Sequence, residues 1–283
     1  MFYNKVFYKD CHKMIEIPNN SIDLIITSPP YFNIKDYSKD GYQKRKISNR
    51  KKGQIGDIEE YDDYINEMLA VWQECERILK PNGKLVINTP LMPMIKANFN
   101  THYNRHIFNI NNDIEYSILH NTKLFLYDLY IWNRTNSSKK LMFGSYPYPR
   151  NFYAQNTIEF INVFVKNGNP INNIQKKLKE NSKLTEQEWL EYTKQIWNIA
   201  IPNKNDLAFG KHSAIMPEEI VRRCIKLFSF ENDIVLDPFT GSGTTLKVAK
   251  ELKRNYIGYE INETYKEIID KKLQENEYDI ENK

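Results

Sequence analysis

Cysteine is scarce in this chain: there are three in 283 residues, Cys11, Cys75 and Cys224. An odd number, widely spaced, excludes a disulfide framework and a cysteine-based zinc site, and it fits a reducing compartment. None of the three follows a proline. Long hydrophobic runs are also missing. No stretch approaches the roughly 18 apolar residues of a membrane span, and residues 1–10 hold no long apolar core, so a soluble, cytoplasmic protein is expected. His102, His106 and His120 lack the tight spacing of metal ligands, and no metal is expected. Charge of one sign is scarce too. Forty basic residues against 36 acidic ones leave only +4, so global charge neither demands nor excludes nucleic acid, and the local distribution must decide.

What is present suits one large α/β domain carrying an insertion, since 41% of the residues are hydrophobic and 13% aromatic. Residues 22–26 read as a buried strand that a proline pair ends. The segment Thr27-Ser28-Pro29-Pro30-Tyr31-Phe32 therefore lies at the carboxyl end of a strand, where open α/β sheets bind ligands. It offers acceptor oxygens beside an aromatic ring. Far away in sequence, residues 234–237 read as a second buried strand. It is followed by Pro238-Phe239-Thr240-Gly241-Ser242-Gly243-Thr244-Thr245, a helix, and the strand Tyr256-Ile257-Gly258-Tyr259-Glu260. A strand, glycine turn, helix, strand and acidic end make a nucleoside-binding half-fold, in which Glu260 is placed to accept both ribose hydroxyls. A phosphate-cradling loop would need a lysine after Gly243 and finds none; a dinucleotide fingerprint would need a third glycine where Leu246 stands.

The first segment resembles the Ser-Pro-Pro-Tyr motif of the amino-methylating DNA methyltransferases, and Asp237-Pro-Phe-x-Gly-x-Gly-Thr-Thr resembles their cofactor loop nearly residue for residue. The order, with the acceptor motif at residue 28 before the cofactor motif at 237, is that of the permuted β class. The resemblance implies a Rossmann-like class I methyltransferase fold: a mostly parallel seven-stranded sheet with helices on both faces, circularly permuted, with a target-recognition insertion. It implies S-adenosylmethionine as cofactor and duplex DNA as partner, and it is compatible with a homodimer and a cognate restriction endonuclease. Ser28 Oγ and the Pro29 carbonyl would draw the protons of an exocyclic amine out of the ring plane, Pro30 would help to fix that carbonyl, and Tyr31 would stack on the extruded base. Asp237, Phe239, Gly241, Ser242, Gly243, Thr244 and Glu260 would line the cofactor. Asp10, His212 and Ser213 join them through looser matches, Ser213 standing where the family often has proline. Asp10 reads equally well as a helix N-cap.

Cytosine N4 is the expected target because Ser28 stands where the adenine-N6 enzymes usually carry Asp; adenine N6 is the alternative. Carbon methylation of cytosine would need a nucleophilic cysteine, conventionally after a proline. A non-catalytic DNA- or nucleotide-binding protein of the same fold, and RNA as substrate, remain other readings.

Six cations, Lys44, Arg45, Lys46, Arg50, Lys51 and Lys52, fall within nine residues just after the acceptor motif. That position suits phosphate contacts, so neutralising them is expected to weaken binding to every DNA sequence and to flatten its salt dependence. The remaining segments read as follows: a strand over 2–8; an amphipathic helix over 61–79; a stop at Lys80-Pro81-Asn82-Gly83; a strand over 84–88; a helix within 91–121 with Ile107, Ile110, Ile114 and Ile118 on its stripe; strands over 124–132 and 158–165 forming an antiparallel hairpin; and helices over 185–197, opened by a Thr185 capping box, and 217–228. Arg134, Lys139, Lys140 and Arg150, interleaved with tyrosines, mark the expected recognition segment. The expected organisation is a catalytic half over 1–133, a target-recognition insertion over 134–202 whose 157–166 strand returns to the sheet, a cofactor half over 203–275, and a polar tail over 276–283.

Overall fold

The computed structural model describes residues 1–32, 55–95, 105–137, 145–152, 154–169, 174–209 and 215–281. Lys44, Arg45, Lys46, Arg50, Lys51, Lys52, Lys139, Lys140, His212 and Ser213 lie outside them. In chain order the elements are β1 (Lys5–Phe7), β2 (Ile22–Thr27), α1 (Tyr61–Ile78), β3 (Leu79–Pro90), β4 (Met92–Ile95), β5 (Arg105–Phe108), α2 (Ile110–Asn121), β6 (Leu124–Arg134), β7 (Ile158–Lys166), α3 (Lys176–Asn181), α4 (Glu186–Tyr192), β8 (Ile196–Ile199), α5 (Glu218–Phe228), β9 (Ile234–Asp237), α6 (Thr244–Glu251), β10 (Asn255–Tyr259) and α7 (Lys266–Glu281).

The main sheet has the order β1-β10-β9-β2-β3-β7-β6-β8. Strands β1, β10, β9, β2 and β3 are mutually parallel, and β7 runs antiparallel to both β3 and β6. The hairpin read from the sequence is thus β6 with β7. The chain leaves β9 through α6 toward β10 on one side, and leaves β2 through α1 toward β3 on the other. Strand order therefore reverses between β9 and β2, and the crevice beyond their carboxyl ends is where such sheets take ligands.

Pleating divides the core. Ile25, Leu85, Ile87 and Leu236 face α1 and α2, while Leu24, Ile26, Val86 and Val235 face α5 and α6. On the α1 stripe Tyr64, Met68, Trp72 and Cys75 are fully buried. Trp72 meets Phe239 edge-on at 6.3 Å, so core packing supports the turn after β9 directly. Trp72→Ala is expected to cost about 3–5 kcal/mol of stability in denaturant unfolding; a loss below about 1 kcal/mol would show that the site does not lean on this ring.

The stop read at Lys80-Pro81-Asn82-Gly83 is in place: α1 ends at Ile78, Leu79 pairs with Ile22, and after a bulge with Asn82 at φ 65° the ladder with β2 and β7 resumes at Lys84. Two sequence expectations change. Ile107 belongs to the β4–β5 hairpin and not to a helix, because α2 starts only at Ile110, with the Asn109 side chain capping the Asn112 amide. Trp197 also leaves its expected helix. α4 ends at Tyr192 after the Thr185–Glu188 capping box, and 196–199 add an eighth strand parallel to β6, with Trp197 stacked on Tyr130 at 4.5 Å. Stacking and burial of that indole outweigh the continuing helical pattern. Helix α7 reaches Glu281, through most of the segment read as a polar tail. Among the described residues no helix is long and apolar enough to cross a membrane, and no cluster could hold a metal ion.

Candidate active site

Leu24 and Ile25 of β2 pair with Val235 and Leu236 of β9, which brings the ends of the two strands level. There the Thr27 hydroxyl donates to Asp237 Oδ1 at 2.8 Å, a contact across 210 residues of chain. The same carboxylate accepts the Phe239 amide at 3.0 Å on Oδ1 and the Thr245 hydroxyl at 2.7 Å on Oδ2. Burial pushes its pKa up to about 6, against the pull of these three donors. Asp237, grouped from the sequence with the cofactor residues, thus has its carboxylate turned inward, where it joins the two motifs.

The turn after Asp237 needs its glycines. Gly241 and Gly243 sit at φ 53° and 83°, and a Cβ on Gly243 would press on Ile269 of α7 at 3.3 Å. Ser242 and Thr244 are buried, with Lys272 of α7 donating to them at 3.4 and 3.0 Å. Lys272, itself nearly inaccessible, also pairs with Asp206 at 3.2 Å, and burial lowers its pKa. No sequence signal marks this lysine, which sits in a helix of ordinary polar composition.

Glu260 follows β10. Its Oε2 accepts the Gly241 amide at 2.8 Å and its Oε1 the Asn262 amide at 2.7 Å, while burial raises its pKa to about 7. The Ile261 amide donates to the same carboxylate, which keeps lone-pair room for a hydroxyl donor. Beneath, Gly258 lets the Thr240 side chain come within 2.4 Å of where a Cβ would stand, so the strand and the turn are closely packed. Asp10 lies beyond β1, beside this edge, since the Glu260 amide donates to the Phe7 carbonyl at 3.0 Å. No helix begins at Asp10. Its half-exposed carboxylate accepts the His12 amide at 2.7 Å and meets His12 Nδ1 at 2.6 Å, closing a local turn.

On the β2 side, Ser28 Oγ and Tyr31 Oη lie 2.9 Å apart. The Pro30 carbonyl accepts from the Tyr64 hydroxyl of α1 at 3.1 Å. Phe32 is buried against Tyr61, Tyr64 and Phe108, with ring centroids 5.2–6.0 Å away. Gly56 backs onto the motif, and a Cβ there would stand 3.1 Å from the Tyr31 carbonyl. The prolines, the aromatic anchor and this close backing hold the motif from three sides.

A charged residue missed in the sequence completes this side. Glu159 of β7 lies level with Pro90 of β3 and Trp132 of β6. It is buried, accepts from Asn88 Nδ2 at 2.6 Å and pairs with Arg134 Nη1 at 3.3 Å. Burial raises its pKa while Arg134 opposes the rise. Burial, then the Glu159 charge, holds the Tyr31 hydroxyl well above its usual range. A lone acid in the apolar run Ile158-Glu159-Phe160-Ile161 was the available signal. Arg134, assigned from the sequence to DNA, is spoken for: besides Glu159 it binds the Asn156 carbonyl, and its side chain is only 20% exposed. Arg150 is exposed, beside exposed Tyr148 and Phe152. All three cysteines are free and buried, and burial raises each pKa, Cys224 to about 12, so none is an activated nucleophile.

The profile of a family described as DNA methylase matches residues 22–271. Type II methyltransferase M.MjaI of Methanocaldococcus jannaschii is 32% identical, over 95% of this chain and 91% of its own length. Type II methyltransferase M.HinfI of Haemophilus influenzae is 30% identical, over 99% and 72%. Among solved structures, a putative DNA modification methylase from Thermus thermophilus, complexed with S-adenosyl-L-methionine, superposes with a TM-score of 0.74 at 24% identity, covering 96% of this chain and 93% of that one. PvuII DNA methyltransferase, described as cytosine-N4-specific, gives 0.64 at 20%, covering 95% and 92%. At these identities the two structures speak for the Rossmann-like fold alone.

Proposed function

This chain belongs to the DNA methylase family, and from that premise we propose that it methylates the exocyclic N4 of cytosine in duplex DNA, at a base turned out of the helix. The enzyme is an S-adenosylmethionine-dependent DNA methyltransferase. The observation that carries the reading is the Thr27–Asp237 hydrogen bond, which sets an amine-accepting motif and a nucleoside-binding turn at neighbouring strand ends.

The cofactor side fits its ligand by the chemistry of its donors. Glu260 offers a buried carboxylate fixed by backbone amides and still open to a hydroxyl donor, and the left-handed glycines bring bare backbone alongside it. Glu260, Gly241, Gly243 and Phe239 would hold the cofactor, with Asp10 at the rim. When bound, S-adenosylmethionine supplies an electrophilic methyl group on a sulfonium centre.

The other steps belong to the chain. An exocyclic amine shares its lone pair with the ring and is a poor nucleophile until its protons are drawn out of plane. Ser28 Oγ and the Pro29 carbonyl serve as the acceptors, fixed in advance by two prolines and by the Tyr64 contact at Pro30. Tyr31 supplies a face for the base, a contact worth roughly 1–3 kcal/mol against an unpairing cost of a few kcal/mol. Asp237 works as a strut between the two halves.

Cytosine is preferred because Ser28 presents a hydroxyl where adenine enzymes of the family usually carry a carboxylate. The test is incubation with methyl-labelled cofactor and mixed-sequence duplex DNA, followed by digestion to nucleosides. Label in N4-methylcytosine is the expected result. Label in N6-methyladenine would correct the base and keep the enzyme; label in RNA alone, or in no nucleic acid, would overturn the substrate or the activity.

A further inference from the structure

We propose that Lys272 is a positioning residue for the cofactor: it makes the hydroxyls of Ser242 and Thr244 committed donors to the carboxylate at the amino-acid end of S-adenosylmethionine. This rests on the cofactor side of the site as read above.

Lys272 of α7 is buried, and each of the three protons of its ammonium has a partner. Asp206 Oδ1 stands at 3.2 Å, Thr244 Oγ1 at 3.0 Å and Ser242 Oγ at 3.4 Å. The Ala208 amide donates to the same Asp206 oxygen at 2.8 Å, so the counter-charge is itself fixed. Glu218 of α5 and Lys247 of α6 also act on the lysine, but they pair with each other at 2.9 Å and offset one another. Burial lowers the pKa of Lys272 from the usual 10.5 while Asp206 opposes the fall, so at neutral pH the ammonium keeps its charge.

The argument is one of unspent protons. A charged ammonium only donates, so each contact occupies a lone pair of the hydroxyl, and the hydroxyl proton has to be directed elsewhere. Among the described residues neither proton meets an acceptor: Ser242 Oγ and Thr244 Oγ1 receive these two hydrogen bonds and donate none. Both side chains are more than nine-tenths buried, so bulk water is a poor substitute. Two buried donors without acceptors are costly, and a ligand atom that accepts from both removes the cost.

Their place makes that acceptor an anion. Gly243 caps α6 and Thr244 opens it, so both hydroxyls lie at the positive end of the helix. Ile269, one turn before Lys272 on α7, lies against Gly243, so one face of α7 holds the turn and aims the ammonium at it. The amide of Gly241, next to Ser242, donates to Glu260 at 2.8 Å, which places the hydroxyls beside the proposed ribose contact. The methionine part of the cofactor carries one anionic group, its carboxylate. Attachment of α7 alone does not call for these contacts, because Lys250 of α6 already donates to the Leu273 carbonyl at 2.8 Å.

The test is calorimetric binding of S-adenosylmethionine and of its decarboxylated form, which keeps the nucleoside, the sulfonium and the amine. Wild type should prefer the carboxylate-bearing ligand about 100-fold or more, since two hydroxyl hydrogen bonds to a charged acceptor are lost without it. In Lys272→Met that preference should shrink about tenfold, through weaker binding of S-adenosylmethionine alone. Lys272→Met combined with Asp206→Leu leaves no unpaired buried charge, so the same loss is readable where the single variant does not fold. Thr244→Val, with the Lys272–Asp206 pair intact, should also lose about tenfold of the preference. A preference within about threefold of wild type in the lysine variants, equal weakening of both ligands, or a wild type indifferent to the carboxylate would overturn the assignment. Wild type that binds neither ligand would instead remove the cofactor reading itself.

Discussion

Ser28→Ala slows methyl transfer about 100- to 1000-fold, equivalent to roughly 2.7–4 kcal/mol of lost transition-state stabilisation, while cofactor affinity stays within about threefold. The separation follows from position. Ser28 stands at the end of β2, while the proposed ligands of the cofactor, Glu260 and the glycine turn, stand on β10 and after β9, with Thr27 and Asp237 tying the two sides through other atoms. Removing Oγ deletes an acceptor for the amine and the partner of Tyr31 at 2.9 Å, and it leaves the Asp237 strut intact. Tyr31→Ala should also lose the stacking face, roughly 1–3 kcal/mol for one base, and so weaken productive DNA binding as well. Single-turnover kinetics beside equilibrium cofactor binding make the check. If both variants keep wild-type turnover, the base pocket lies elsewhere.

Glu260→Ala is expected to weaken cofactor binding by about 150-fold or more, since two hydroxyl contacts to a charged acceptor are lost at about 1.5–3 kcal/mol each. The alanine also leaves the Gly241 and Asn262 amides without their acceptor, loosening the turn. Glu260→Gln keeps the shape and the carbonyl and should fall between the two. The raised pKa adds a pH signature with a definite sign. In the free protein Glu260 binds a proton up to about pH 7. Hydroxyl donors favour the charged form, so binding must expel that proton, and affinity rises with pH through this range before levelling off. From pH 8 to pH 6 the affinity should drop about tenfold, and the drop should disappear in Glu260→Gln. Buried Asp237, with its own pKa near 6, lies close enough to raise that of Glu260 but is common to both proteins. A pH-independent affinity in wild type would remove Glu260 from the cofactor contacts.

The two motifs and the strands that carry them were legible because each is local: a proline pair or a glycine turn ends an apolar run, and spacing alone announces it. Their juxtaposition was legible only through resemblance, since no periodicity relates residue 27 to residue 237. Side-chain direction was not legible. Asp237 reads as a ligand carboxylate until its partners Thr27, Thr245 and the Phe239 amide are seen, and Arg134 reads as a phosphate contact until Glu159 appears beside it. Glu159 and Lys272 escaped for a related reason. A buried charge is explained by partners distant in sequence, here Arg134 and Asn88 for one and Asp206, Ser242 and Thr244 for the other. The eighth strand and the β4–β5 hairpin hide in short segments whose apolar spacing also fits a helix, and tertiary pairing decided against it.

A crystal structure of the protein with S-adenosylmethionine tests most directly whether these two motifs form one catalytic centre. The expected result is the ribose on Glu260, the methionine part along the Phe239–Gly243 turn, and the methyl group directed across the β9–β2 crevice toward Ser28. A ribose held away from Glu260, or a methyl group facing away from Ser28, would contradict it.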